Sequence, residues 1–192
     1  RTPLPERFGE NMETIAKIGI TGLPGAGKTY AVRKVVEMLE AEDLVVGGMM
    51  TEPIIEDGKK TGFAIVDWMN KQQGIFAHAD INSKYMIGKF GIDLKALEDV
   101  GVKALMKASE EADVIVIDEV GRVEVESPAF IDTVKYCLDL EKPILLTLHK
   151  KSRNPLLQDI RRRDDVRILE VTPINRNLLP YKIMKLMKGE LL

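Results

Sequence analysis

Ile15-Ala16-Lys17-Ile18-Gly19-Ile20-Thr21, followed at once by Gly22-Leu23-Pro24-Gly25-Ala26-Gly27-Lys28-Thr29, decides the fold of this 192-residue chain. The first seven residues read as a short buried strand. The next eight satisfy the pattern G-x-x-x-x-G-K-[ST], and Val32, Val35, Val36 and Leu39 then recur at helical spacing. Strand, glycine-rich turn and helix in that order make a phosphate-binding loop, because glycines let backbone N–H groups close around phosphate oxygens. Lys28 supplies a point charge for the β- and γ-phosphates, Thr29 a hydroxyl for Mg²⁺, and the helix N-terminus a partial positive charge. A glycine turn with a chance lysine would need neither the preceding strand nor the following helix.

Outward from the loop, Val114-Ile115-Val116-Ile117-Asp118-Glu119 has the form of a buried strand whose C-terminal end delivers two carboxylates. In an open α/β sheet, ligands bind beyond such strand ends. Asp118 is therefore expected to hold Mg²⁺ or its water together with Thr29, and Glu119 to accept a proton from water attacking the γ-phosphate. Thr147 and His149, near the end of the strand Ile144–Leu148, are placed to sense the γ-phosphate, although a structural role suits His149 as well. A guanidinium often supplements the loop lysine in phosphoryl transfer. Arg122 lies just beyond the carboxylate pair, and Arg161, Arg162 and Arg163 end a short helix, where cations also favour the macrodipole.

Whole-chain properties bound the alternatives. Hydrophobic residues make up 45% and charged residues 30%, with a net charge of −2 and the two signs interleaved. That balance suits one ordinary domain and gives no positive field for gripping nucleic acid, which leaves such a partner unsupported. No apolar run is long enough to span a bilayer. Cys137 is alone, so disulfides are excluded and zinc-ligand spacing is absent; a reducing, cytoplasmic setting and a monomer are expected. Residues 1–11, polar and with two prolines before Met12, read as a disordered extension or vector remnant, and 12–192 as a single domain.

Further along, Leu44–Thr51 and Thr61–Trp68 are strand-like and flank an Asp57-Gly58 hairpin turn. Tyr85–Phe90 is ambiguous, and Leu94–Ala112 reads as helix broken at Gly101 into two pieces. Ser127 and Pro128 supply an N-cap and a first-turn proline for a helix carrying Phe130, Val134, Cys137 and Leu138. Pro155–Arg163 reads as helix, Val166–Val171 as strand and Asn177–Leu191 as closing helix. This alternation implies an α/β fold of the P-loop NTPase type: a three-layer α/β/α sandwich with a mostly parallel central sheet and an added antiparallel β-hairpin.

With these segments in place, the chain resembles the thermophile-type nucleoside-triphosphatases, the family that includes the animal cancer-related nucleoside-triphosphatase. The likeness runs from Ile15 to about Met187. It is carried, in order, by Gly22–Thr29, Gly48-Met49-Met50-Thr51-Glu52, Asp57-Gly58-Lys59-Lys60-Thr61-Gly62-Phe63, Gly88-Lys89-Phe90-Gly91-Ile92-Asp93-Leu94, Ile117-Asp118-Glu119-Val120-Gly121-Arg122-Val123-Glu124 and Val171-Thr172-Pro173-Ile174-Asn175-Arg176-Asn177. The resemblance implies slow, Mg²⁺-dependent hydrolysis of several nucleoside triphosphates (ATP, GTP, CTP, UTP and TTP) to diphosphate and phosphate. It implies nucleotide-binding segments at Gly22–Thr29 and at about Ile115–Arg122, and it places Asn175 and Arg176 near the base. Tyr30, where the family often has a second threonine, and Val123, in place of a common methionine, depart from the pattern without touching a proposed chemical role.

Two other functions fit a phosphate loop. A small nucleotide or nucleoside kinase would use an acceptor hydroxyl or phosphate in place of water and close arginines such as 161–163 as a lid. A nucleotide-dependent switch or nucleic-acid ATPase would turn over only when a partner is bound.

Overall fold

The computed structural model describes residues 15–189. The extension expected at 1–11 and positions 190–191 of the expected closing helix lie outside them, and the helix itself ends at Met187. The strands are β1 (Lys17–Gly22), β2 (Val46–Glu56), β3 (Lys59–Asp67), β4 (Gln73–His78), β5 (Met86–Ile87), β6 (Phe90–Ile92), β7 (Val114–Val120), β8 (Ile144–His149) and β9 (Arg167–Glu170). They form one sheet in the order β5-β6-β4-β3-β2-β7-β8-β1-β9. From β2 to β9 every neighbouring pair is parallel; from β2 to β5 every pair is antiparallel. The expected hairpin is the β2–β3 ribbon, and β4, β6 and β5 extend it.

Period-two alternation in the parallel half sends successive side chains to opposite faces, and both faces are covered. On β7, Val114 and Val116 face a core shared with α1 (Lys28–Ala41) and α6 (Leu179–Met187), while Ile115 and Ile117 face a second core. That second core is built with α3 (Lys103–Glu111), α4 (Pro128–Asp139) and α5 (Pro155–Arg162). Two cores, one on each face of a single sheet, make the three layers. Pro53 is tolerated within β2 because β2 pairs with β7 only through Met49, so the proline lies where no ladder bond is needed on that side.

Several expectations shift. β2 is longer than Leu44–Thr51, and β4 replaces what the sequence left unassigned. The helix expected to break at Gly101 does not: α2 (Leu94–Ala96) passes into a π-helical turn, Leu97–Val102, and on into α3, with right-handed helical geometry at each junction. The wider π turn absorbs the phase change that a glycine in the apolar pattern seemed to mark as an end. α6 begins at Leu179, two residues later than expected, because Pro173–Leu178 is a run of turns. At α4 the reading from sequence matches: Ser127 caps the helix by accepting from the Phe130 N–H, with Pro128 in the first turn. Among the described residues no helix is long and apolar enough to cross a membrane.

Candidate functional site

Parallel pairing of β7, β8 and β1 brings three strand ends together, with Gly22 opposite His149 and Ile117 opposite Leu146. The chain leaves β1 through the glycine loop and enters α1. Gly27 stands at the N-cap with φ 115° and Gly25 has φ 79°, a left-handed backbone that side-chain-bearing residues rarely adopt. That geometry aims the first N–H groups of α1 into the loop. Since α1 has no side-chain cap, these donors and the helix dipole are available to an anion.

Opposite the loop, the hydroxyl of Thr29 donates to Asp118, 3.1 Å from Oδ2 and 3.4 Å from Oδ1. Thr147, fully buried on β8, donates to Asp118 Oδ1 at 2.7 Å. Thr147 therefore faces the carboxylate and acts on anything bound there through Asp118. At 2% exposure, Asp118 is held up at about 6 by burial, opposed by the Thr147 bond, raised further by Glu119, and drawn back by Thr29 and Lys28. The next carboxylate, Glu119, is a partly exposed neighbour of the loop: its Oε2 lies 3.1 Å from Lys28 Nζ. The proposed base and the proposed phosphate-binding cation are thus in direct contact.

His149 sits beside this group. Its Nδ1 is buried without a hydrogen-bond partner among the described residues, and burial holds the ring below its ordinary value, against the pull of Glu119 and with the push of Lys28, Arg122 and Arg161. Arg122 is exposed and reaches the Met86 carbonyl at 3.4 Å. Two arginines of the run are tied down: Arg161 donates to the carbonyls of Ser152, His149 and Lys150, and Arg163 pairs with Asp139 and Asp165, while Arg162 is exposed. Arg161 and Arg163 thus hold the β8–α5 and α5–β9 connections and do not form a lid.

Within the expected segment Ile115–Arg122, Ile115, Val116, Ile117 and Val120 are fully buried and present no surface to a ligand; they carry Asp118 and Glu119 to the sheet end. A crevice of ~210 Å³ lies between Leu23-Pro24-Gly25-Ala26 and Glu170-Val171-Thr172-Pro173. Arg176 borders the loop, its Cβ and Cδ 3.4 Å from where a Cβ would stand on Gly27. Asn175 instead ties its own turn, accepting from the Thr172 N–H at 2.8 Å and donating to the Glu170 carbonyl at 2.9 Å. One buried residue at this end has no role in the reading from sequence. Glu124, 4% exposed, lies in the 3₁₀ turn Glu124–Glu126, and burial, with Glu119 and Asp118 adding to it, raises its carboxyl to about 8. A glutamate between two valines carries no period that would mark it as buried.

Among the described residues no cluster of three or more His, Cys, Asp or Glu side chains is placed to hold a metal. A hydroxyl and one carboxylate beside a phosphate cradle is a partial, all-oxygen donor set. That fits Mg²⁺, which takes one or two protein carboxylates and completes its shell with phosphate and water.

A loop-and-carboxylate constellation at the switch end of a three-layer α/β/α sheet defines a nucleotide-binding protein of the P-loop class. A family model described as NTPase matches residues 17–184, and the chain belongs to that family. It is 41% identical over 176 residues to nucleoside-triphosphatase THEP1 of Picrophilus torridus, covering 92% of this chain and 98% of the relative. Two solved structures share the fold, each with TM-score 0.78. The crystal structure of THEP1 from the hyperthermophile Aquifex aeolicus is 31% identical, covering 89% of this chain and 98% of that one. The solution structure of a human cancer-related nucleoside triphosphatase is 29% identical, covering 92% and 100%.

Proposed function

We propose that this nucleoside-triphosphatase binds its substrate with Mg²⁺ and hydrolyses the γ-phosphate of several nucleoside triphosphates, with Glu119 as the base that takes the proton from water. The observation that carries the reading is the contact of Glu119 with Lys28, one residue beyond an Asp118 tied to Thr29. In this reading the glycine loop and the N-terminus of α1 hold the phosphates and Lys28 stabilises charge on the transferred group. Thr29 and Asp118 would hold the metal, which when bound neutralises the phosphate oxygens. Thr147 keeps Asp118 oriented. Glu119, at the end of β7, accepts a proton from the attacking water, and the phosphoryl group passes to that water's oxygen as the diphosphate leaves.

Weak selection among bases agrees with the crevice. Its lining is mostly apolar, with Leu23, Pro24, Ala26, Val171 and Pro173, and its polar side chains are already engaged: Glu170 pairs with Lys150, the Thr172 hydroxyl accepts from the Asn175 N–H, and the side-chain amide of neighbouring Asn175 ties its own turn. A site discriminates strongly only when it presents polar groups that the wrong ligand leaves unpaired. Phosphate release against each nucleoside triphosphate with Mg²⁺ tests the reading in three proteins: wild type, Lys28→Ala and Glu119→Gln. Lys28→Ala should lose both nucleotide affinity and turnover. Glu119→Gln should bind nucleotide yet release phosphate about 10² to 10⁴ times more slowly. Unchanged turnover in Glu119→Gln would remove Glu119 as the base, and phosphate transfer to nucleosides or monophosphates in preference to water would make the protein a kinase.

A further inference from the structure

Glu119 has two carboxyl oxygens, and Lys28 accounts for one of them. Beyond β7 the chain turns through Gly121 into the 3₁₀ turn, which returns Glu124 beneath the strand end, flanked by buried Val123 and Val125. Gly121 records how closely the two glutamates approach. A Cβ on that residue would stand 2.7 and 2.9 Å from the Glu124 carboxyl oxygens and 2.9 Å from Glu119 Oε1. The carboxyl oxygens of both glutamates therefore lie around one point beside Gly121, and any side chain there would push them aside. Lys28 lies against Oε2 of Glu119, so Oε1 is the oxygen turned toward Glu124. The backbone N–H groups of Gly121 and Glu124 also donate to the Glu124 carboxyl.

We propose that Glu124 is a positioning residue for Glu119: a buried carboxylic acid whose hydrogen-bond donor is directed at Oε1 and fixes the orientation of the Glu119 carboxylate toward the attacking water. The proposal deepens the hydrolase reading and rests on it. Its physical basis is that a carboxyl buried beside a second, ionised carboxylate is held in its neutral form. Glu119, with its side chain 31% exposed, has Lys28 as counter-ion; Glu124 is 4% exposed and faces Glu119 and Asp118, both acidic. The proton therefore resides on Glu124, consistent with its carboxyl being held up at about 8. An ionised carboxylate only accepts hydrogen bonds, whereas a neutral acid also donates one. A base on the last turn of a strand otherwise has free torsions, and a second group that locks it keeps the oxygen on line with its proton.

Steady-state hydrolysis by wild type, Glu124→Gln, Glu124→Met, Glu124→Asp and Glu119→Gln tests this. Gln keeps the shape and a donor N–H, Met fills the volume with no donor, and Asp keeps the acid but withdraws it by one methylene. The expected pattern is kcat within about threefold of wild type for Gln and a loss of about tenfold or more for Met and Asp, with KM within about twofold throughout. Thermal melting accompanies each measurement; if Met does not fold, Asp carries the comparison. Wild-type kcat in folded Glu124→Met or Glu124→Asp overturns the proposal, as does a Gln variant as slow as Met. Glu119→Gln separates the two ideas. If it turns over normally, the base assignment itself falls; if it is inactive while Glu124→Met is normal, only the positioning role falls.

Discussion

Glu124 takes up a proton as the chain folds, and that leaves a signature in stability separate from any kinetic one. Its carboxyl is raised from an ordinary 4.5 to about 8, so between those values the unfolded chain is ionised there and the folded chain is not. The folded state then binds more protons, and stability falls as pH rises through that window and levels off above it. Urea unfolding of wild type and Glu124→Gln should show the Gln variant gaining on wild type from about pH 4.5 to about pH 8. A difference that stays flat across that range would mean Glu124 is ionised in the fold. Glu124 was not legible as a buried acid, since its period and composition are those of a solvated turn. Asp118 and Glu119 were legible, because four β-prone apolar residues lead straight into them, and Lys28 and Thr29 because the loop spacing leaves little freedom.

A helix terminus can hold more than its own helix. Ser127 Oγ accepts from the Phe130 N–H at 3.2 Å and donates to Glu98 Oε2 at 2.6 Å, so one hydroxyl caps α4 and ties it to the π turn that precedes α3. Ser127→Ala should destabilise the protein by about 1 to 2 kcal/mol, the upper part of the range for a lost N-cap, because Glu98 loses its donor as well. A denaturant midpoint unchanged from wild type would show that the cap is dispensable. The capping signal was readable from Ser127-Pro128, whereas its partner was not, because Glu98 lies 29 residues earlier and meets Ser127 only in the folded molecule. β4 escaped for a related reason: Gln73-Gly74 and His78 dilute its alternation, and it forms because β3 and β6 pair on either side of it.

Across the whole molecule, the parallel half carries the candidate site and the antiparallel half widens the sheet. Chain order from β7 onward made the parallel half readable, since each strand there is an apolar run followed by a capped or proline-started helix. The antiparallel half was readable only at its first turn, Asp57-Gly58, because β5 has two residues and β6 three, too few to display a period. Tertiary pairing places these strands, and local propensity does not. Arg161 and Arg163 follow the same rule: read along the chain they form a basic helix end, and in the folded molecule they hold the β8–α5 and α5–β9 connections and tie the second of these to the end of α4.

The contact between Lys28 and Glu119 also puts affinity and turnover in opposition. For its ammonium to serve a phosphate, Lys28 must give up the carboxylate 3.1 Å away, so ligand and base compete for one cation. Partly exposed ion pairs are worth up to about 1 kcal/mol, which corresponds to roughly fivefold in a dissociation constant. Glu119→Gln, the variant expected to be nearly inactive, should therefore bind a non-hydrolysable nucleotide about two- to fivefold more tightly than wild type by calorimetry. Weaker binding would show that no such competition exists. Occupancy of the site thus makes a poor gauge of its activity: the protein that holds nucleotide longest is expected to be the one that consumes it least.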